Sequence, residues 1–228
     1  MSIFYIMKPI YKKLLSKEIP VHHVCEVGVY LPETSNVIDF IQQGVRSTLV
    51  EADPEVVAKI RVAFPQPTVT IHSVAVWDTD GELQFSRAAS STFATELPDS
   101  PALTNDKYVK KEENTFTVPC TRFSNLDDGT IDLLSIDIEG GEWYVLKHLK
   151  SKPKVLSIET HGKYYTNPFI TEIRQWITDH NYELWYQDGS DSVYIQKGLF
   201  EVPAGDKLET KLANMKTSWK KFKGQFKG

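Results

Sequence analysis

Apolar and polar positions along the chain change their period several times, and each change marks an element. Ile3, Met7, Ile10 and Leu14 recur at helical spacing, so residues 2–17 are expected to form a short amphipathic helix. Residues 21–30 (VHHVCEVGVY) form an apolar strand ending near Gly28, and Pro32 suits the first turn of a helix over about 33–43. Residues 47–52 (STLVEA) are a strand, and Asp53 is placed to cap a helix running to about Phe64. Residues 69–77 are a third strand, followed by the turn Asp80-Gly81 and a short return strand over 82–85. Residues 115–120 form another strand, and 131–138 (IDLLSIDI) have the unbroken apolar run of a strand buried on both faces. A helix over 141–149, a buried strand over 155–159 and a helix over 168–180 follow. The domain closes with an antiparallel pair, 182–187 and 193–196, across Asp188-Gly189.

Strands alternating with helices predict an α/β domain over 20–198, with a mostly parallel sheet and helices on both faces. Residues 1–19 form an N-terminal helical extension and 199–228 a C-terminal one. Residues 86–114 are polar and have no sustained period, as in a lid or binding loop that shapes an acceptor pocket. In the C-terminal extension Leu208, Leu212, Met215, Trp219, Phe222 and Phe226 form a helical stripe with lysines on the other faces. That stripe suits packing against the domain, dimerisation, or contact with an anionic membrane through Lys211, Lys220 and Lys221.

Composition narrows the functional classes. With 228 residues and 41% hydrophobic positions the chain can bury a full core without disulfides. Cys25 and Cys120 lack metal-ligand spacing, and Cys25 lies in an apolar run, so a buried reduced thiol and a cytoplasmic setting are expected. No apolar run approaches the ~18 residues of a membrane span, and no signal-peptide pattern opens the chain. The net charge of −4 is uneven. Lys8, Lys12, Lys13 and Lys17 make residues 1–17 +4, and seven lysines against Glu201, Asp206 and Glu209 make 198–228 another +4, leaving −12 on the body. An acidic body excludes nucleic acid as the substrate, because phosphate binding needs a basic surface.

Ligands of open α/β sheets bind beyond the carboxyl ends of the strands. The first strand ends in Glu26-Val27-Gly28, where a glycine permits a tight turn close to a ligand, and the second ends in Glu51, about 25 residues later. An acid in that second position accepts ribose hydroxyls; the third strand ends near Ser73-Val74, followed by Asp78. Each feature alone also fits a plain turn or a helix cap, but their order and spacing suit a cofactor with a ribose and a purine. Neither GxGxxG nor GxxxxGK[ST] occurs, which argues against a nicotinamide dinucleotide or a nucleoside triphosphate. An acid at the first turn repels pyrophosphate but pairs with a sulfonium or ammonium group.

Residues 131–149, IDLLSIDIEGGEWYVLKHL, resemble the DLLKIDVEGxExxVLxG signature of FkbM-type methyltransferases. VCEVGVY resembles that family's DVGAN turn, TLVEADP its second-strand acid, and SVAVWDTDGELQF its AVxDxxGxxxF segment. VPCTRFSNL stands for the VxxxxLDxL lead-in, and VLSIETHG for the strand ending in Glu-x-His; together the segments cover about residues 20–197. The resemblance implies a Rossmann-like class I methyltransferase fold, with a mostly parallel seven-stranded sheet and a C-terminal antiparallel hairpin. Its cofactor would be S-adenosylmethionine. Glu26 and Gly28 would meet the methionine moiety, Glu51 the ribose, and Ser73-Val74 the adenine, with Asp137 near the sulfonium. Val29, Tyr30 and Ala52 adjoin these positions and complete the expected cofactor-binding set. Two departures stand out. Pro32 holds the place of a second glycine and Glu26 that of the usual Asp, so the loop at the methionine end is expected to be reshaped.

Methyl transfer to a hydroxyl needs an acceptor held in line and a base or metal to assist. Asp137-x-Glu139 and Glu159-x-His161 sit at neighbouring strand ends, and alternate residues of an extended chain point to one side. His161 is expected as general base, with Asp137, Glu139 and Glu159 positioning substrate or tuning it. Alternatively, Glu139 caps the next helix and His161 is an ordinary strand-end residue. A divalent metal on Asp137, Glu139 and Glu159 or His161 is a further option. His22, His23, His72, His148 and His180 show no ligand pattern, and Trp77, Trp143, Trp176 and Trp185 suit core packing. Tyr164 and Tyr165 suit either sugar stacking or packing. The expected reaction is O-methylation of a sugar, a glycan or another natural-product hydroxyl. A binding or scaffold protein that keeps the fold without catalysis is the competing class, and Pro32 favours it.

Overall fold

The computed structural model describes residues 7–87, 92–97, 99–104, 114–162 and 165–208. Helix α1 (Pro9–Ser16) precedes β1 (His23–Val27), α2 (Ile38–Gln42), β2 (Arg46–Glu51), α3 (Pro54–Ala63) and β3 (Val69–Ser73). Short β4 (Ala75–Val76), β5 (Gly81–Arg87), β6 (Thr92–Ala94), α4 (Pro101–Thr104) and β7 (Thr115–Thr121) come next. The chain ends with β8 (Leu133–Ile136), α5 (Glu142–Lys147), β9 (Val155–Glu159), α6 (Ile170–Asp179), β10 (Tyr182–Asp188) and β11 (Asp191–Gln196). Seven strands form the main sheet in the order β10-β11-β9-β8-β1-β2-β3. The run from β9 to β3 is parallel throughout, and β11 pairs antiparallel with both β9 and β10.

Burial on both faces follows from period-two alternation through strands whose apolar residues fall on both sides, and β1, β8 and β9 are buried at every position. Val24, Leu49, Leu133 and Val155 enter one core with Ile10 and Leu14 of α1, Phe40 and Ile41 of α2 and Ile60 of α3. Their chain neighbours Cys25, Val50, Leu134 and Leu156 enter the other, against Val145 and Leu146 of α5 and Ile173 and Ile177 of α6. Both cysteines are buried free thiols. A third cluster, including Leu83, Ala94, Val118 and Cys120, lies on a second sheet ordered β4-β7-β5-β6.

That second sheet corrects the single strand expected over 69–77. The strand-like composition continues through the stretch, but β3 ends at Ser73, and Val74 donates its N–H to the Glu51 carbonyl (3.0 Å). The next two residues pair with Cys120 and Thr121 of β7 instead. Strand composition records that the chain is extended, not which sheet it joins. The segment expected as a polar loop over 86–114 holds regular elements: β5 continues to Arg87, and β6 and α4 lie within it, while residues 88–91, 98 and 105–113 lie outside the described residues.

Asp53 caps α3 as expected, accepting the Glu55 N–H at 2.9 Å. It also receives Arg87 through Nε and Nη2, both at 3.0 Å, which ties the second sheet to the start of α3. Asp53→Ala is expected to destabilise the protein by about 2 kcal/mol in urea unfolding, since a cap and a charge-assisted pair are lost together. Asp53→Asn should lose less, because the amide oxygen still caps.

The two ends of the domain meet. Lys13 of α1 contacts Asp206 at 2.7 Å, and Trp185 Nε1 donates to the other Asp206 oxygen at 2.8 Å. Ile10 and Leu14 of the expected N-terminal stripe are buried; Met7 is exposed and Ile3 lies outside the described residues. In the C-terminal extension Val202 is buried, residues 204–208 form a helical turn and Leu208 is exposed; Leu212, Met215, Trp219, Phe222 and Phe226, with Lys211, Lys220 and Lys221, lie outside the described residues. No helix among the described residues is long and apolar enough to cross a membrane.

Candidate active site

A cavity of about 440 Å³ opens along the carboxyl ends of β1, β2 and β8. Its far walls come from Val74–Trp77, from Phe85, Thr92, Ala94 and Leu97 beside the second sheet, and from the Asp188–Asp191 turn. The antiparallel direction of β11 brings that turn to the same edge as the ends of the parallel strands.

The turn after β1 is set by Gly28, whose φ of +84° suits a residue without a side chain. Its N–H donates to the Val50 carbonyl at 2.9 Å, so β1 continues its pairing with β2 into the turn. A Cβ at this position would stand 1.7 Å from the Asp137 carbonyl oxygen, so only glycine lets β1 and β8 end this close together. Glu51 ends β2 buried, its Oε2 accepting the N–H groups of Val29 (3.1 Å) and Tyr30 (3.2 Å) and its Oε1 that of Asp53 (2.8 Å). Burial raises its pKa and these bonds oppose the rise. They fix the carboxylate against the Gly28 turn while leaving lone pairs toward the cavity.

Glu26 lines the same wall but is largely committed to the chain itself. Its Oε2 accepts the Ser35 hydroxyl at 2.5 Å and its Oε1 the Asn36 N–H at 2.7 Å. Burial lifts its pKa to about 7 against those two bonds, and the Asp137 carboxylate adds to the rise. Pro32 begins a 3-10 turn (Pro32–Thr34) that separates the cofactor loop from α2, in place of one helix over 33–43. Tyr30 accordingly takes a left-handed conformation, φ +54°, at the cavity rim. The asparagine after that turn, Asn36, donates to Ser135 Oγ (3.1 Å) and Asp191 Oδ2 (3.3 Å). Ser157 also donates to Asp191, whose pKa burial and then the Asp137 carboxylate raise.

After β8 the chain does not stay extended. Glu139 is left-handed at φ +59°, so Asp137 and Glu139 do not share a side by strand alternation, although both line the cavity. Nor does Glu139 cap the next helix: Gly141 holds the N-cap position of α5 with no side-chain cap bond. Fully buried Glu142 organises that turn instead. Its Oε1 accepts the N–H groups of Ile138 (3.0 Å) and Gly140 (3.1 Å), and Asn167 donates to its Oε2. Glu142 was visible in the sequence as the second Glu of the IDIEGGE stretch.

Of the residues expected to bind cofactor, Glu26, Gly28, Val29, Tyr30, Glu51, Ala52, Val74 and Asp137 line the cavity. Ser73 does not: it ends β3 with its side chain exposed, and the wall passes to Val74. Glu159 and His161 also lie off the cavity wall. The chain turns after β9, His161 bridges Thr166, and its Nδ1 lies 3.0 Å from Thr160 Oγ1. The expected base therefore does not face the cavity. The carboxylates that do come together are Asp137, Glu142 and Glu159, with Glu142 in the place expected for Glu139. Burial, followed by repulsion from Glu142, raises the pKa of Asp137 against a hydrogen bond with Glu159, and burial, followed by repulsion from Asp137 and Glu142, raises that of Glu159. Tyr165 is fully buried and so packs rather than stacks on a ligand; Tyr164 lies outside the described residues. Sequence reading missed Asn36, Glu142 and Asp191, which become meaningful only when distant segments meet.

A parallel sheet closed by an antiparallel β10–β11 hairpin, with a cavity at its carboxyl edge, defines the class I methyltransferase fold. The Methyltransferase FkbM domain matches residues 26–184, and the chain belongs to that family. Among solved structures it is similar to a TehB-like SAM-dependent methyltransferase from Corynebacterium glutamicum, at 12% identity and TM-score 0.41, covering 81% of this chain and 86% of the other. It is also similar to magnesium protoporphyrin IX methyltransferase from Synechocystis with bound SAM, at 9% identity and TM-score 0.46, covering 82% and 76%. Comparison with curated proteins by sequence gives no match.

Proposed function

We propose that this methyltransferase uses S-adenosylmethionine to methylate a hydroxyl, and that the hydroxyl belongs to a sugar or glycan. The observation that carries the cofactor is the charge of the cavity wall. Glu26, Glu51, Asp137, Glu139, Asp188 and Asp191 line it, and no Lys, Arg or His does among the described residues. Such a wall attracts a cofactor bearing sulfonium and ammonium charges and repels a pyrophosphate. Bound there, S-adenosylmethionine supplies an electrophilic methyl group. Glu51, oriented by three backbone N–H donors, accepts ribose hydroxyls, and Val74 and Trp77 give the base an apolar wall. Asp137 and Glu139 stand on the wall as acceptors for the hydroxyl proton. Asn36, Thr92 and Ser190 add polar lining groups suited to a neutral polyol, and the acidic wall disfavours an anionic acceptor. The sugar assignment rests on the family resemblance together with this lining.

Calorimetric titration with S-adenosylhomocysteine tests the cofactor site. Wild-type protein is expected to bind, and Glu51→Ala to weaken binding by about a hundredfold, as two hydrogen bonds to a charged group are lost. Glu51→Gln separates binding from folding, because its amide oxygen still accepts backbone N–H groups. Folded wild-type protein that does not bind would favour the scaffold reading. Methyl transfer to neutral sugars, and none to their phosphates, is the expected acceptor pattern.

A further inference from the structure

Behind the cavity wall three carboxylates converge. One oxygen each from Asp137, Glu142 and Glu159 lies within 4.8 Å of the others. Glu142 is fully buried and Glu159 is only 7% exposed. The Oε2 atom of Glu159 is itself buried, and no N–H or hydroxyl group donates to it among the described residues. A buried carboxylate oxygen without a donor costs about 1–3 kcal/mol or more, so a fold that keeps one beside two further acids calls for a positive partner. We propose that Asp137, Glu142 and Glu159 bind a divalent cation of the Mg²⁺/Mn²⁺ class.

The ligand chemistry fits. Hard divalent ions take carboxylate oxygens, and Mg²⁺ keeps several waters, so three protein ligands are enough to complete the set with solvent. Asp137 borders the cavity and provides the route for water and ion, while Glu142 and Glu159 lie behind it. The ligands come from three places that the fold alone joins: the end of β8, the first turn of α5 and the end of β9. Glu142 is already fixed by Ile138, Gly140 and Asn167, which makes the site rigid before any ion arrives. A cation there fixes Asp137 against the cavity and lowers the cost of deprotonating a hydroxyl beside it.

The test uses full-length protein stripped with a chelator and titrated with Mn²⁺ at pH 8, reading free Mn²⁺ by electron paramagnetic resonance and the melting temperature in parallel. The expected result is uptake of one Mn²⁺ per chain with a rise in melting temperature that Mg²⁺ reproduces. Glu159→Gln is expected to weaken Mn²⁺ binding by about tenfold or more. The same variant keeps the side chain's size and removes a carboxyl crowded against two others, so its metal-free form should be at least as stable as wild type. Asp137→Asn should behave alike, and exposed Glu82→Gln should leave uptake unchanged. No uptake by about 1 mM Mn²⁺, or equal uptake by wild type, Glu159→Gln and Asp137→Asn, overturns the proposal. S-adenosylhomocysteine binding is measured separately, so failure of the cation site and failure of the cofactor site give different results.

Discussion

Gly28→Ala is expected to lower the unfolding free energy by about 3 kcal/mol or more and to abolish S-adenosylhomocysteine binding. Two costs add at this position. The φ of +84° is strained for any side chain, and the new Cβ would lie 1.7 Å from the Asp137 carbonyl oxygen and 2.7 Å from its carbon. Both of those atoms are backbone, so no rotamer change relieves the overlap. Relief requires moving the end of β1 from that of β8, which pair up to Val27 and Ile136. That movement strains two hydrogen bonds at 2.9 Å, Gly28 N–H to Val50 and Asp137 N–H to Val27. Against a typical total stability of about 5–15 kcal/mol, the loss shows as a large fall in the urea midpoint. Gly44→Ala is the control, since φ there is +74° with nothing within 4 Å. It should cost about 1 kcal/mol from backbone strain alone. Equal midpoints for the two variants would remove the steric argument for Gly28.

The second large effect is an inverted pH dependence to which Glu26 contributes with the buried Asp137, Glu142 and Asp191, all raised in the same direction. Burial raises its pKa from the ordinary 4.5 to about 7. Between these values the folded protein holds the proton and the unfolded chain has released it, so stability falls as pH rises. The contribution is complete below 4.5 and is lost through 7, a change of roughly 3 kcal/mol. Asp128, whose hydrogen bonds with Thr130 and Arg46 hold its pKa near 2, has the opposite sign but has completed its effect by pH 5. His23, with a pKa lowered by burial, opposes the trend below 6.5. Glu26→Gln isolates the carboxylate, because an amide still bonds Ser35 and Asn36 without titrating. Urea unfolding should place the variant level with wild type at pH 5 and more stable by up to about 3 kcal/mol at pH 8. Parallel curves across that range would mean that Glu26 ionises in the fold at no cost.

Where sequence reading went astray, the residues show why. Periodicity located residues 69–77 as one strand but had no term for a chain that leaves one sheet at Ser73 and joins another at Ala75. Alternation placed Glu139 beside Asp137 on the assumption of extended backbone, and the left-handed φ of Glu139 breaks that assumption. His161 stood two residues beyond Glu159 on paper, but the turn after β9 pairs it with Thr166 and takes it off the cavity. In each case the error lies at a strand end, where local rules cease to fix direction.

The sequence by itself determined the alternation of elements, the burial of β1, β8 and β9 on both faces, the Asp53 cap and the line of Glu26, Gly28 and Glu51 along the carboxyl edge. These are consequences of side-chain period and local capping chemistry, which act over a few residues. Tertiary structure alone decided that Glu142 rather than Glu139 joins Asp137 and Glu159, that Asn36 reaches Asp191 across 155 positions, and that Glu26 is held by Ser35. Those pairings depend on distances between segments remote in the chain, and a buried carboxylate acquires its partner only when the sheet has brought the strand ends together.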